Sequence, residues 1–514
     1  MVSERLIAQA SAAIACITCV ALFLESRDLA PRQLRQPVAL LLLVAAVATY
    51  AHFFQSPQRT FYHRWEMFHY FLGSKYAGEL GYQRLYVCTA VADAETNPEQ
   101  PLQKRRLRDL RDDAIVPAVV AVAGTNDCRA RFSAARWQDF KSDVRFFRGQ
   151  VEPRRWQQML LDHGYNPAPA WTLLGRALSA RGKASSSFLG LLALLDPLLM
   201  LATLGALAWG FGARVAWLAA MFWSCQAAST FAWTGGGFLR QDWLFFVALS
   251  LALLRRGRPF GAGAALGWAS ALRVFPVLLF AGPALLTLFG LWRGHRFSRS
   301  QRAFVLGGFS CLVVSLGVTL RAFGYEYHRE FAQHIAMHAE TPVANHMGLR
   351  SLLSLGPESR IKENAQPQSV DPTQRWAAAR RAHFSRWRSV YFLLGGLSVV
   401  SLALTVRRLN TLWMSMPLSL LLVAVLTDPS CYYFSLWLIA AVLVSVRRAV
   451  AMPLMGLAAA GQLLVLAIAE TDLQYAALAA AYLAFSALLV CLFARPRFGV
   501  ASSLHCTGAG GADA

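Results

Sequence analysis

Charge is what this sequence has least of. Only 15% of its 514 residues are charged, against 56% hydrophobic, whereas soluble globular domains devote about a quarter of their residues to Asp, Glu, Lys and Arg. An ordinary water-exposed surface is excluded for most of the chain. The nine cysteines include no CxxC pair and no zinc-like spacing with histidine, so they announce neither a redox motif nor a metal site. No phosphate-cradling P-loop, GxSxG elbow or dinucleotide fingerprint stands in a suitable context, and ATP-driven pumping has no support. Acidic residues number 28 against 50 basic ones, for a formal net charge of +22. That surplus would suit nucleic acid, but the arginines gather in short connections between apolar runs, where they set orientation. Nucleic acid is set aside as a partner.

What the chain has in abundance is apolar runs. "PVALLLLVAAVATYAHFF" (Pro37 to Phe54) carries no charge and is long enough as a helix to span about 30 Å of hydrocarbon. Similar runs recur to the end of the chain, so a removable signal peptide does not explain them. Spans are expected at 6–24, 36–54, 188–209, 213–233, 241–254, 260–272, 276–291, 303–322, 386–405, 411–427, 432–446, 451–468 and 475–494. The expected fold class is all-α, a polytopic transmembrane helical bundle of about thirteen spans among membrane lipids.

The connections that carry Arg27, Arg32 and Arg35, then Arg214, Arg255, Arg256 and Arg258, then Arg293 to Arg302, Arg407, Arg408, Arg447 and Arg448 fall on one side. The positive-inside rule makes that side the cytoplasm. The turns of Arg240 and Arg273 then face outward with the N-terminus and two long loops. The organisation expected is 1–54 as N-terminal spans, 55–187 as an external loop with a motif helix and an inserted subdomain, and 188–322 as central spans with a short hairpin. A second external loop, 323–385, precedes the C-terminal spans, 386–497, and a disordered tail, 498–514. The first loop is expected to be helical around "ARWQDFKSDVRFFRG" and "PRRWQQMLLDHG". Its Cys88 and Cys128 pair if the loop faces an oxidising compartment, and stay free otherwise.

Polar groups that look out of place at span ends all fall on the outer side. Glu66 and His69 follow the second span, Arg240 and Asp242 precede the fifth, Arg273 turns the short hairpin, and Asp428, Tyr432 and Tyr433 interrupt two late spans. Ionisable groups at a membrane edge are costly unless paired or hydrated, so their convergence suggests an outward-opening cavity. Arg273, in "ASALRVFPVLLF", either snorkels to the interface or presents its guanidinium to a phosphate, which arginine binds bidentately. In "HRWEMFHYFLGSKYAGELGYQRLY" (His63 to Tyr86), helical spacing puts Glu66, His69, Tyr70 and Gly73 on one face and Met67, Phe71 and Ser74 on another. The aromatics there read as an interfacial belt with Glu66 facing water. The sharper reading is a general base, because partial burial raises a carboxylate's pKa toward the operating range.

These residues resemble a known family. "EMFHYFLGSKYAGELGYQRLY" looks like the first-external-loop motif of membrane glycosyltransferases of the GT-C fold, glycosyltransferase family 87 in particular. "FVALSLALLRRGRPFGAGAALGWASALRVFPVLLF" is similar to that family's apolar span, basic turn, glycine-rich span and Leu-Lys/Arg-x-x-Pro. "ANHMGLRSLL" (Ala344 to Leu353) resembles its Asn-Gln-Ser-Leu segment, and "TDPSCYYFSLWLIAA" its late Ser-Pro-x-Ser-Trp-x-His segment. The resemblance implies transfer of a sugar, mannose among the candidates, from a polyprenyl-phosphate donor to a glycan, lipid or protein acceptor, with inversion. It implies Glu66 as the base, Arg273 with Arg240 on the donor phosphate, and His69, Tyr70, Asn345, His346, Asp428 and Tyr433 as sugar or acceptor contacts. It further implies a multi-pass protein of a bacterial plasma membrane with an external site. It assigns no definite cofactor and leaves a divalent metal open.

The chain departs from the pattern in several places. Glutamate stands where the family usually has aspartate, residues 87–187 have no counterpart, an extra span precedes the motif, and Tyr432 and Tyr433 replace an expected tryptophan and histidine. His334 and His338, in "HIAMH", have i,i+4 spacing that suits a metal. With no acidic partner in that motif, one face of an interfacial helix is the simpler reading, and no metal ligand is assigned. Two rivals stand beside the transferase. A transporter or lipid flippase would line its path with polar residues inside the spans and often repeat its halves. A non-catalytic scaffold would tolerate loss of Glu66 but not of residues 87–187.

Overall fold

The computed structural model describes residues 3–52, 60–97, 101–123 and 128–495. The glycine-rich tail expected to be disordered lies outside them. The chain is 76% helical, and among the described residues its only sheet is a two-stranded hairpin, Arg106–Asp109 against Ala114–Pro117. Among the described residues, eight helices are long and apolar enough to cross a membrane: Glu4–Ser26, Arg32–Tyr50, Ser186–Phe211, Phe275–Trp292, Arg299–Glu340, Gln374–Val406, Arg448–Ala467 and Thr471–Ala494. Their outward faces are apolar, with Leu41, Leu201, Phe309 and Phe392 each more than 60% exposed. A surface so apolar and so extended belongs against lipid rather than water. The chain is thus an all-α protein compatible with a multi-pass membrane protein.

The other apolar runs form shorter helices inside this ring. The runs at 213–233, 241–254 and 260–272 become Ala213–Cys225, Asp242–Arg255 and Pro259–Leu272, of 13, 14 and 14 residues. By length these fall below the roughly 20 residues that a spanning α-helix needs. Two more apolar helices, Leu412–Leu426 and Cys431–Ser445, are also short. The second is a 15-residue 3-10 helix, almost wholly buried, and its steeper rise of about 2 Å per residue carries it roughly 30 Å through the centre of the bundle. Glycines let neighbouring backbones touch: a Cβ on Gly263 would lie 1.9 Å from the Phe304 carbonyl oxygen, so the Pro259–Leu272 helix packs directly against Arg299–Glu340.

That last helix also reaches beyond the bundle. A capping box starts it, with Ser298 Oγ accepting from Gln301 N and Gln301 Oε1 accepting from Ser298 N. It bends at Gly324, whose φ of 80° only glycine adopts without strain, and continues to Glu340. The continuation lays Tyr327, Glu330, His334 and His338 over the first long loop. Glu330 accepts from Tyr82 N at 3.0 Å and pairs with Arg84 at 3.1 Å.

The first long loop folds into its own subdomain. Helices Leu85–Thr96, Ala134–Gly149, Pro153–Met159 and Pro169–Ser179 join the hairpin, and Cys88 is bonded to Cys128. The helix expected at "ARWQDFKSDVRFFRG" is present, while the one at "PRRWQQMLLDHG" stops at Met159 and releases Asp162 and His163 into a connection. Aromatics of the motif segment form this subdomain's core: Phe68 meets Trp156 at 5.2 Å and Phe147 at 6.0 Å, and Tyr76 meets Phe140 at 4.9 Å. They are not an interfacial belt. A buried ion pair, Lys75 with Asp143 at 2.6 Å, is completed by the Tyr76 hydroxyl and the Gly182 carbonyl.

Candidate functional site

The motif helix changes pitch where its polar face begins. Arg64–Met67 is α-helical, Phe68–Leu72 is a π-turn, and Gly73–Lys75 resumes the α-helix. A π-turn widens the helix locally and often marks a functional position. Here it leaves Glu66, His69 and Tyr70 on one side, facing a common cavity of about 450 Å³. Gly73 does not share that role. Its Cα abuts the Tyr165 ring, and an added Cβ would lie 2.3 Å from Tyr165 Cδ2.

The cavity wall also includes His63, Arg155, Asp162, Asn345, His346 and Tyr432. Glu66 is paired with Arg240, Oε2 to Nε at 2.9 Å, with the carboxylate side chain 13% exposed and the arginine 2%. Arg240 is held between the rings of Tyr70 and Tyr432, at 4.8 and 4.4 Å from their centroids, and also donates to the Tyr70 hydroxyl. Its backbone is fixed as well. Arg240 N and Gln241 N donate to Asp196 Oδ1 at 2.8 and 3.1 Å, and the Arg240 carbonyl accepts from Trp243 Nε1. Burial raises the Tyr70 hydroxyl well above its ordinary pKa, a shift the neighbouring guanidinium of Arg240 opposes.

His69 lines the cavity with both ring nitrogens engaged internally, Nδ1 with the Trp65 carbonyl at 2.8 Å and Nε2 with the Tyr86 hydroxyl at 2.7 Å. Behind it, Asp162 accepts from Trp65 Nε1 at 2.7 Å. Burial alone would raise the Asp162 pKa, but His69 and His163 beside it hold the carboxyl below its usual range.

A second cavity, of about 350 Å³, adjoins the first and shares Tyr70, Asn166, His338, His346, Ser430 and Tyr432 with it. This chamber holds Arg273, Asp428 and Tyr433. Arg273 is 7% exposed; one nitrogen donates to the Leu272 carbonyl at 2.8 Å, and Nε and Nη2 are buried with no hydrogen-bond partner. Unused buried guanidinium donors are costly, and an anion in the chamber would satisfy them. The remaining wall is largely apolar. It includes Val274, Phe275, Phe331 and Leu426, and Val274 and Leu426 are 53% and 38% exposed on the outer surface.

The chambers meet where two chain segments touch. Residues 345–347 run against 429–431, with Cys431 N donating to the Asn345 carbonyl at 2.8 Å and Met347 N to the Pro429 carbonyl at 3.0 Å. This seats His346 between the chambers, 3.8 Å from Asp428. Burial, aided by His163, Arg350 and Arg380, pushes the His346 pKa down to about 3. Asp428 accepts from Ser351 Oγ at 2.5 Å.

Glu66, His69, Tyr70, Arg273, Asn345, His346, Asp428, Tyr432 and Tyr433 therefore each line one or both of two joined chambers. Arg240 lies beneath them on Glu66, and Asp242, buried nearby, lines neither. His334 and His338 do not converge on one point: His334 Nε2 meets Asn166 Oδ1 at 2.6 Å, whereas His338 lies near His163 and His346. No cluster of three metal-type ligands occurs among the described residues. Sequence reasoning missed Asp162, His163 and Asn166, which lie together in "LDHGYNPAP" just before an apolar helix; that polar knot was the available signal. It also missed Asp196 as the anchor of the Arg240 turn. Compared with protein-family models, curated proteins and solved structures, the chain matches none.

Proposed function

We propose that the protein is an integral membrane glycosyltransferase that moves a sugar from a polyprenyl-phosphate donor to an acceptor hydroxyl. The observation that carries this reading is the junction of two chambers, one lined by Glu66, the other by Arg273, which has two buried guanidinium nitrogens without a hydrogen-bond partner beside the apolar Val274, Phe275 and Leu426. A lipid-linked sugar phosphate needs both surroundings at once. Its prenyl chain would stay among Val274, Leu426 and the surrounding lipid while its phosphate meets Arg273. The sugar would then lie across the junction at Tyr70 and His346, with its anomeric carbon toward Glu66.

In a single displacement the acceptor oxygen bonds to the anomeric carbon as the carbon–oxygen bond to phosphate breaks. The hydroxyl proton passes to the Glu66 carboxylate, and the phosphate leaves with the bonding electron pair, its charge met by Arg273. Attack from the face opposite the phosphate inverts the anomeric centre. On this account Arg240 positions Glu66 and stays off the phosphate. The Cys88–Cys128 bond supports an external setting for the loop subdomain, because such bonds persist in oxidising compartments.

The test is transfer of radiolabelled sugar from a panel of polyprenyl-phosphate sugars, in membranes carrying wild type or Glu66→Gln at matched protein levels. Transfer by the wild type, reduced about 100-fold or more in the variant, is expected of a lost general base. Equal transfer by both removes Glu66 from the mechanism. No transfer from any donor contradicts the reading.

A further inference from the structure

The end of the bundle opposite Glu66 holds another cavity. Helices Asp242–Arg255 and Phe275–Trp292 both run away from the site. Where they stop, together with the start of Arg299–Glu340 and the turn after Val406, they bound a space of about 590 Å³, larger than either chamber of the site. Arg255, Arg293, Arg296 and Arg407 line it, with Ser298 and Asn410 among the neutral polar groups, and no aspartate or glutamate does.

A basic end is what membrane orientation requires; it does not require four arginines gathered around one hollow without a carboxylate among its lining. Two arginines of this end outside the cavity are paired, Arg35 with Asp28 at 2.5 Å and Arg214 with Glu25 at 2.6 Å; Arg299 and Arg302, also outside it, stand apart from any such hollow. None of the four cavity arginines has a carboxylate within ion-pair distance among the described residues. Three of them stand at helix carboxyl ends, Arg255 in a last turn and Arg293 and Arg407 as C-caps, where the helix dipole favours a cation. Arg296 has no such explanation, and four like charges round one concavity repel. Arg255 is held 5.4 Å from the ring of Trp413. On the same helix end, outside the cavity lining, Leu288 and Trp292 are 59% and 80% exposed, an apolar surface of the kind found at a lipid–water boundary.

We infer that this cavity is a binding site for a phosphate group, separate from the site at the other end, with its arginines as the ligands. The phosphate would come from an anionic phospholipid headgroup or from a soluble phosphate ester; guanidinium chemistry suits both. The inference is independent of the proposed transferase activity.

The full-length protein, delipidated in detergent, would be titrated with phosphatidylglycerol and with phosphatidylcholine, and bound lipids counted by native mass spectrometry. The wild type would be compared with Arg255→Gln/Arg296→Gln and with Arg299→Gln/Arg302→Gln, which removes the same charge at the same end outside the cavity. Phosphatidylglycerol is expected to bind the wild type and the control alike, and the cavity variant on the order of tenfold more weakly. If the cavity variant melts at a lower temperature, Arg293→Gln/Arg407→Gln takes its place. Displacement of the lipid by excess inorganic phosphate, or binding of phosphate alone, identifies a soluble ester as a ligand for the site; retention of the lipid identifies the headgroup. Equal loss in both double variants, no loss in either, equal binding of phosphatidylcholine, or no binding of phosphatidylglycerol or phosphate by the wild type overturns the inference.

Discussion

Glu66 does not act on its cavity alone. Arg240 neutralises it, and Asp196 fixes the turn that delivers Arg240. Removing one partner of such a buried pair leaves the other charge uncompensated, at a cost of about 3–5 kcal/mol. Arg240→Gln is therefore expected to lower thermal stability in detergent strongly, and Arg240→Lys, which keeps the charge, less so; equal melting of both variants and the wild type would remove the pair from the account. His346 sets a pH dependence whose sign follows from its lowered pKa. An unfolded imidazole titrates near 6.5, whereas in the fold the value is about 3. Between those values the unfolded chain takes up a proton that the folded chain refuses, so stability falls as pH drops through that window, by up to about 1.4 kcal/mol per pH unit. His346→Asn should flatten melting temperature against pH between pH 7 and 5. An unchanged slope would place the titration elsewhere.

At the scale of elements, the loop subdomain is the part whose order depends on a covalent tie. The Cys88–Cys128 bond closes a loop of sequence separation 40, a constraint worth up to about 4 kcal/mol on chain-entropy grounds. Cys88→Ser should raise the proteolytic sensitivity of the subdomain while leaving the bundle helices resistant. Because Asp162, His163 and Asn166 line the chambers, it should depress transfer as well. Uniform resistance of wild type and variant would contradict this. The sequence reveals the long lipid-facing helices well, because a continuous apolar run dictates a helix whatever surrounds it. The continuation of Arg299–Glu340 past Gly324 is hidden, since its mixed polar face carries no hydropathy signal. So is the shortness of the buried inner helices, whose apolar runs look the same as lipid-facing ones. At the site, the gathering of Glu66, Arg273, Asn345 and Tyr433 at one end follows from the alternation of spans. The pairing of Glu66 with Arg240 does not, because it depends on a turn held by Asp196 from a third helix.

Across the whole molecule, the buried 3-10 pillar Cys431–Ser445 and the inner helices bring distant span ends together. The long outer helices meanwhile leave an apolar mouth beside Arg273. One chamber thus holds Arg273 beside the apolar Val274, Phe275 and Leu426, and the other holds Glu66 beside Asp162 and His163 of the loop subdomain, with Tyr70, Tyr432 and His346 lining both. The account divides labour accordingly: Arg273 holds the donor and Glu66 drives the transfer. The most direct measurement is equilibrium binding of a polyprenyl-phosphate sugar to purified wild type, Glu66→Gln and Arg273→Gln. The account predicts wild-type affinity for Glu66→Gln and a loss of about 10-fold to 100-fold for Arg273→Gln, the worth of a charge-assisted contact to phosphate. Undiminished binding by Arg273→Gln, or equal losses in both variants, would contradict it.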